Sequence, residues 1–111
     1  MRKGAIVAGT GFEGRDRVIK KHCREGMEVV LKREPKNKYD PNAIAVYIKI
    51  PRIGGLLGSR YTQIGHIKAS TAKSLSKLMD SGAKVTGKVR SYYAPEGRDF
   101  PRVSLEITDE I

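Results

Sequence analysis

Cysteine and histidine are scarce in this chain, with one Cys, Cys23, and two His, His22 and His66. A lone thiol closes no internal disulfide and rules out a cysteine-based zinc cage, as suits a reducing compartment. The two histidines form neither an H-x-x-x-H nor an H-E-x-x-H pair for a metal. No serine sits in a nucleophile elbow, and no Gly-Lys-Ser/Thr follows a glycine loop. Asp40 and Asn42 open in the manner of a calcium loop, but the glycine and terminal glutamate it requires are missing. Long apolar runs are absent too, none approaching the ~20 residues of a transmembrane helix. The start, Met1-Arg2-Lys3 before Gly4-Ala5-Ile6-Val7-Ala8, has an apolar stretch shorter than the ~7–15 residues of a leader's core. It reads as a first strand, and the expected location is the cytoplasm, with the nucleoid if the cell is bacterial. These absences predict a chain that is not an enzyme and takes no cofactor, metal or membrane.

Acidic residues are the other shortage. Twelve Asp and Glu stand against 22 Lys and Arg, which leaves a net charge of +10 on 111 residues. A field of that sign on so small a domain attracts polyanions and speeds their association. Hydrophobic residues make up 39%, enough for one domain, residues 1–111, with one core.

Periodicity predicts mostly strands, over residues 5–8, 27–33, 43–50, 63–68, 84–92 and 102–108. The clearest is the fourfold alternation of Ile44, Val46, Ile48 and Ile50. One helix is well signed: Ser70 stands where an N-cap is wanted, Gly82 follows as a stop, and Ala72, Leu75, Leu78 and Met79 recur at helical spacing. A second, less regular helical turn falls over residues 17–24. Residues 35–42, 51–61 and 94–101 read as loops, the last two as flexible tips. The expected fold class is mostly β with minor α, a small OB-like curved sheet or barrel of about six strands with one clear helix.

Gly9-Thr10-Gly11-Phe12-Glu13-Gly14 matches the GxGxxG fingerprint of dinucleotide-binding domains and follows a strand. A first helix in such a domain packs closely on its sheet. Here Arg15-Asp16-Arg17-Val18-Ile19-Lys20-Lys21-His22 is mostly charged, and the later chain does not continue as alternating strand and helix. The bland alternative is that these glycines bend a strand and let backbone pass close to a neighbour.

The run Asn37-Lys38-Tyr39-Asp40-Pro41-Asn42-Ala43-Ile44 with the later Ile64-Gly65-His66-Ile67 resembles the HIRAN domain. That domain occurs free-standing in bacteria and phage and at the N-terminus of fork-remodelling ATPases. The resemblance implies an OB-like barrel that holds the 3′-hydroxyl end of single-stranded DNA, with DNA repair or replication proteins as possible further partners. It assigns Tyr39 and Phe12 to base stacking, worth ~1–3 kcal/mol per base in such sites, and Asp40 to the terminal hydroxyl. A carboxylate beside a phosphate track is costly unless it accepts a specific hydrogen bond, and a free 3′-hydroxyl is such a donor. Asn37 and Asp40 equally suit Asx-type turns before Pro41, and Tyr39 equally suits a half-buried loop anchor. His66, Lys68 and the Thr71 and Ala72 amides at the helix start are expected to hold a phosphate. Lys38 and Lys73 are the other cations assigned nearby. Members that bind DNA carry an Arg-Tyr-Tyr-like run where this chain has Thr10-Gly11-Phe12, so Arg15, Arg17, Lys20 and Lys21 are expected to supply phosphate contacts instead. A domain that lost end-specific stacking would serve as a general single-strand or protein-docking adaptor. A dinucleotide-binding fragment is the third reading.

Overall fold

Strands with one apolar face must close that face on one another, and six of them do so here. The computed structural model describes residues 2–51, 58–93 and 100–110, so most of the two expected loop tips, residues 52–57 and 94–99, lies outside the described residues. The strands are β1 (Arg2–Ala8), β2 (Glu28–Arg33), β3 (Ile44–Pro51), β4 (Ser59–Ile67), β5 (Lys84–Tyr93) and β6 (Arg102–Glu110). They form a closed barrel in the order β1-β4-β3-β2-β5-β6, with every pair antiparallel. Ile44, Val46, Ile48 and Ile50 of β3 meet Val103, Leu105 and Ile107 of β6 in the core, all of them buried.

Among the described residues two helices cover the barrel, one where the sequence marks a clear helix and one where it marks a less regular turn. The second, α2 (Ala69–Asp80), buries Ala72, Leu75 and Ser76. It ends before Gly82 as expected, the Ala83 amide bonding back to the Leu78 carbonyl at 3.2 Å. Its start differs from the expectation: Lys68, not Ser70, is the N-cap, and no side chain caps it. The Lys68 amide continues the sheet by donating to Ile6 O at 2.9 Å, while its carbonyl accepts the first helical bonds. Strand pairing therefore sets the helix start, where a capping side chain was expected to. The first helix, α1 (Arg15–His22), is a full element over the stretch read as an irregular turn. Its Ile19 and the following Cys23 are wholly buried, and burying the Ile19 side chain contributes about 1.5–3 kcal/mol.

The GxGxxG stretch is no dinucleotide cradle. β1 and β2 are not neighbours and nothing in the barrel is parallel, so the strand-helix-strand crossover that the fingerprint needs is absent from the barrel. The segment makes one 3-10 turn at Phe12–Gly14 and feeds α1.

A register shift between Val46 and Tyr47 shapes the next region: His66 pairs with Ala45 and Gly65 with Val46, but Tyr47 pairs with Gln63. The extra residue is Ile64, a bulge that turns Gln63 and His66 toward each other, 3.4 Å apart. Gly65 is a close-approach residue, since a Cβ there would lie 2.3 Å from Ala8 O. That approach lets β1 reach β4, which it pairs at Val7↔Ile67 and Ala8↔His66.

Candidate nucleic-acid interface

Just outside that short β1–β4 pairing lies a groove of about 250 Å³, lined among others by Ala8, Asn37, Tyr39, Asp40, His66 and Ala69. Three of the residues singled out from the sequence, Tyr39, Asp40 and His66, are thus brought together from a loop and a strand. Tyr39 is 96% exposed, which rules out the loop-anchor alternative: its ring is held out in water.

The loop that carries Tyr39 and Asp40 is built from its own side chains. Asn37 Oδ1 accepts the amides of Tyr39 (2.9 Å) and Asp40 (3.1 Å), and Asp40 Oδ1 accepts the Asn42 amide at 2.8 Å. The Asx-turn reading therefore holds for Asn37 and for one oxygen of Asp40. Asp40 Oδ2 makes no hydrogen bond among the described residues. Arg33 fixes the loop's exit, donating to the carbonyls of Ala43 (2.8 Å) and Pro41 (3.0 Å) and forking onto both oxygens of Asp80 at the end of α2. Hydrogen bonding from Arg33 holds the Asp80 carboxyl below the ordinary aspartate range.

His66 is expected at a phosphate, and one of its ring nitrogens is already bonded within the protein. Its Nε2–H donates to Glu34 Oε1 at 2.6 Å, and Asn37 Nδ2 donates to the same oxygen at 3.2 Å. Burial alone would raise the Glu34 carboxyl, but the hydrogen bonds from His66 and Asn37 prevail and hold it below the usual glutamate range. Glu34 thus ties β4 to the loop and sets the imidazole plane, which leaves Nδ1 as the ring atom with no bond to a described residue. Nor are the Thr71 and Ala72 amides available, since both donate to the Lys68 carbonyl at 3.0 and 2.9 Å. The amides with no helical acceptor are those before them, at Ala69, which lines the groove, and Ser70.

The remaining predicted residues are scattered around this centre. Lys38 and Lys68 are exposed and next in sequence to the groove residues Tyr39 and Ala69. Phe12 is exposed in the 3-10 turn, with the Arg15 guanidinium 5.3 Å over its ring and bonded to Gly9 O at 3.2 Å. Arg17 is exposed on α1, while Thr71 and Lys73 lie on α2 and are not among the residues lining the groove.

Sequence reasoning missed Phe100. Its ring lies so close over Gly11 that a Cβ there would fall 1.8 Å from the ring edge, and it is still 55% exposed. The Thr10 hydroxyl donates to Pro101 O at 2.8 Å and pins the same crossing. An aromatic from the far end of the chain thus fills the space left by the glycine. The only signal in the sequence was a lone aromatic inside the loop read over residues 94–101.

No curated protein sequence matches the chain. The crystal structure of the HIRAN domain of human HLTF is similar over 97% of this chain and 74% of that one, at 25% identity and a TM-score of 0.64. A crystal structure of a protein from Lactobacillus plantarum shares the fold over 98% of this chain and 97% of that one, at 23% identity and a TM-score of 0.71. The HIRAN domain pattern itself matches residues 5–110. The chain belongs to the HIRAN domain family, a family of nucleic-acid-binding modules.

Proposed function

We propose that the chain is a non-enzymatic module that binds single-stranded DNA at its 3′-hydroxyl end. The observation that carries this reading is the pairing of an exposed Tyr39 ring with an Asp40 carboxylate oxygen left unbonded, at a groove in a protein of net charge +10. Asp40 Oδ2 accepts the terminal hydroxyl, and it repels a strand that continues or ends in phosphate. Tyr39, Phe12 and Phe100 offer ring faces to bases. Lys68, the Ala69 amide and, when the ring is protonated, His66 Nδ1–H take the adjoining phosphate. Service in DNA repair or replication, in the cytoplasm or on a nucleoid, belongs to the same proposal.

The test is fluorescence anisotropy with oligonucleotides that differ only in a 3′-hydroxyl or a 3′-phosphate. The hydroxyl end is expected to bind at least tenfold more tightly, and Asp40→Ala to erase that preference. Equal binding of both ends by the unaltered protein refutes end reading. It would leave the adaptor reading, which Thr10 favours because its hydroxyl is spent on Pro101 where DNA-binding members carry arginine.

A further inference from the structure

A second charged surface lies on α1. Arg17, Lys20 and Lys21 recur at the i, i+3, i+4 spacing of one face of α1 and are exposed, as is Arg24 just past the helix end, while Ile19 on the opposite side is buried. None of the four forms an ion pair among the described residues. Arg24 is held in place, its guanidinium donating to the Cys23 (2.7 Å) and Lys21 (3.2 Å) carbonyls that end the helix. At ~1.5 Å per residue the three helical cations span ~6 Å, about two nucleotides of one duplex strand at ~3.4 Å each. A favourable interaction with the helix dipole accounts for Lys20 and Lys21 in the last turn, but not for Arg17 in the first.

We infer that this stripe grips the phosphate backbone of double-stranded DNA flanking the single-stranded end. The large exposed apolar side chains include Phe12, Tyr39 and Phe100, and none of them is on α1. Sites for single strands combine cations with aromatic platforms on which bases stack. A row of cations on a helix that carries no Phe, Tyr or Trp supplies no stacking face of its own and suits a partner whose bases are already turned inward. The stripe starts beside the proposed end-binding site, because Arg15 links α1 to Phe12 and to the Gly9 carbonyl, one residue past the groove wall at Ala8. The inference rests on the end-reading proposal only for which strand lies in the groove.

The test uses a dumbbell duplex closed by hairpin loops, which has no 3′ end, so its binding is independent of end reading. A short 3′-hydroxyl oligonucleotide is measured alongside. The wild-type protein is expected to bind the dumbbell with a steep salt dependence. Lys20→Ala/Lys21→Ala should make the log–log slope shallower by about 2, one unit for each lost contact, and weaken the dumbbell by a larger factor than the oligonucleotide. Both lysines are exposed, so the fold is retained. The matched loss of charge in Lys77→Ala/Lys84→Ala, remote from α1 in the sequence, should leave the slope in place. Failure of the wild type to bind the dumbbell, an unchanged slope in the α1 variant, or an equal loss in the control variant each overturns the inference.

Discussion

Glu34 and His66, 32 positions apart, share a 2.6 Å hydrogen bond that joins the start of the Tyr39–Asp40 loop to β4. The Glu34 carboxyl is lowered against the opposing effect of its burial, so the folded state favours the ionised form. The stabilisation is fully present above the ordinary glutamate range and is lost as pH falls through the lowered value. Thermal melts from about pH 6 to about pH 3 should therefore show a loss of stability that is smaller in Glu34→Gln. An identical acid limb in the two proteins would mean that the bond contributes nothing to the fold.

Gly11 is required by Phe100 rather than by the backbone. In Gly11→Ala the new methyl group occupies the ring's position, and the half-exposed ring moves away at little cost to folding. Affinity for a single-stranded oligonucleotide should fall about fivefold or more, roughly 1 kcal/mol, the loss expected of Phe100→Ala as well. Anisotropy on the two variants and their combination decides the point. A combined loss near the sum of the two would separate residues that the geometry joins.

Leu75 is fully buried on the inner face of α2. Leu75→Ala should cost about 2–5 kcal/mol, read as a lower urea midpoint with an unchanged slope.

Cys23 is fully buried, and burial pushes its thiol above the ordinary range despite the neighbouring Arg24. The thiolate is the reactive form. A disulfide-exchange reagent should therefore label Cys23 at the rate of unfolding in native buffer and at once in denaturant. Immediate labelling of the native protein would contradict the burial of this side.

The barrel was legible wherever side chains alternate without interruption. Ile44 to Ile50 and Val103 to Ile107 announce buried faces, and Leu75 with its helical neighbours announces α2. What escaped was set by contacts distant in sequence. The Ile64 bulge breaks alternation because β4 must meet both β3 and β1, and nothing local marks it. Lys68 caps α2 because its amide belongs to Ile6, so the suitable side chain of Ser70 was a false lead. α1 hides its one fully buried side chain, Ile19, among cations. Tyr39 and Asp40 were singled out by their motif, whereas the pairings of His66 with Glu34 and of Phe100 with Gly11 appear only once the chain has folded.

The short β1–β4 pairing at Val7↔Ile67 and Ala8↔His66 has one more consequence. The groove opens directly over it, since Ala8 and His66 line both. On the end-reading proposal, a strand end lying there clasps the barrel's seam. Breathing of the barrel and release of the guest then become a single motion, so any change that loosens the seam shortens the guest's residence even when it touches no groove residue.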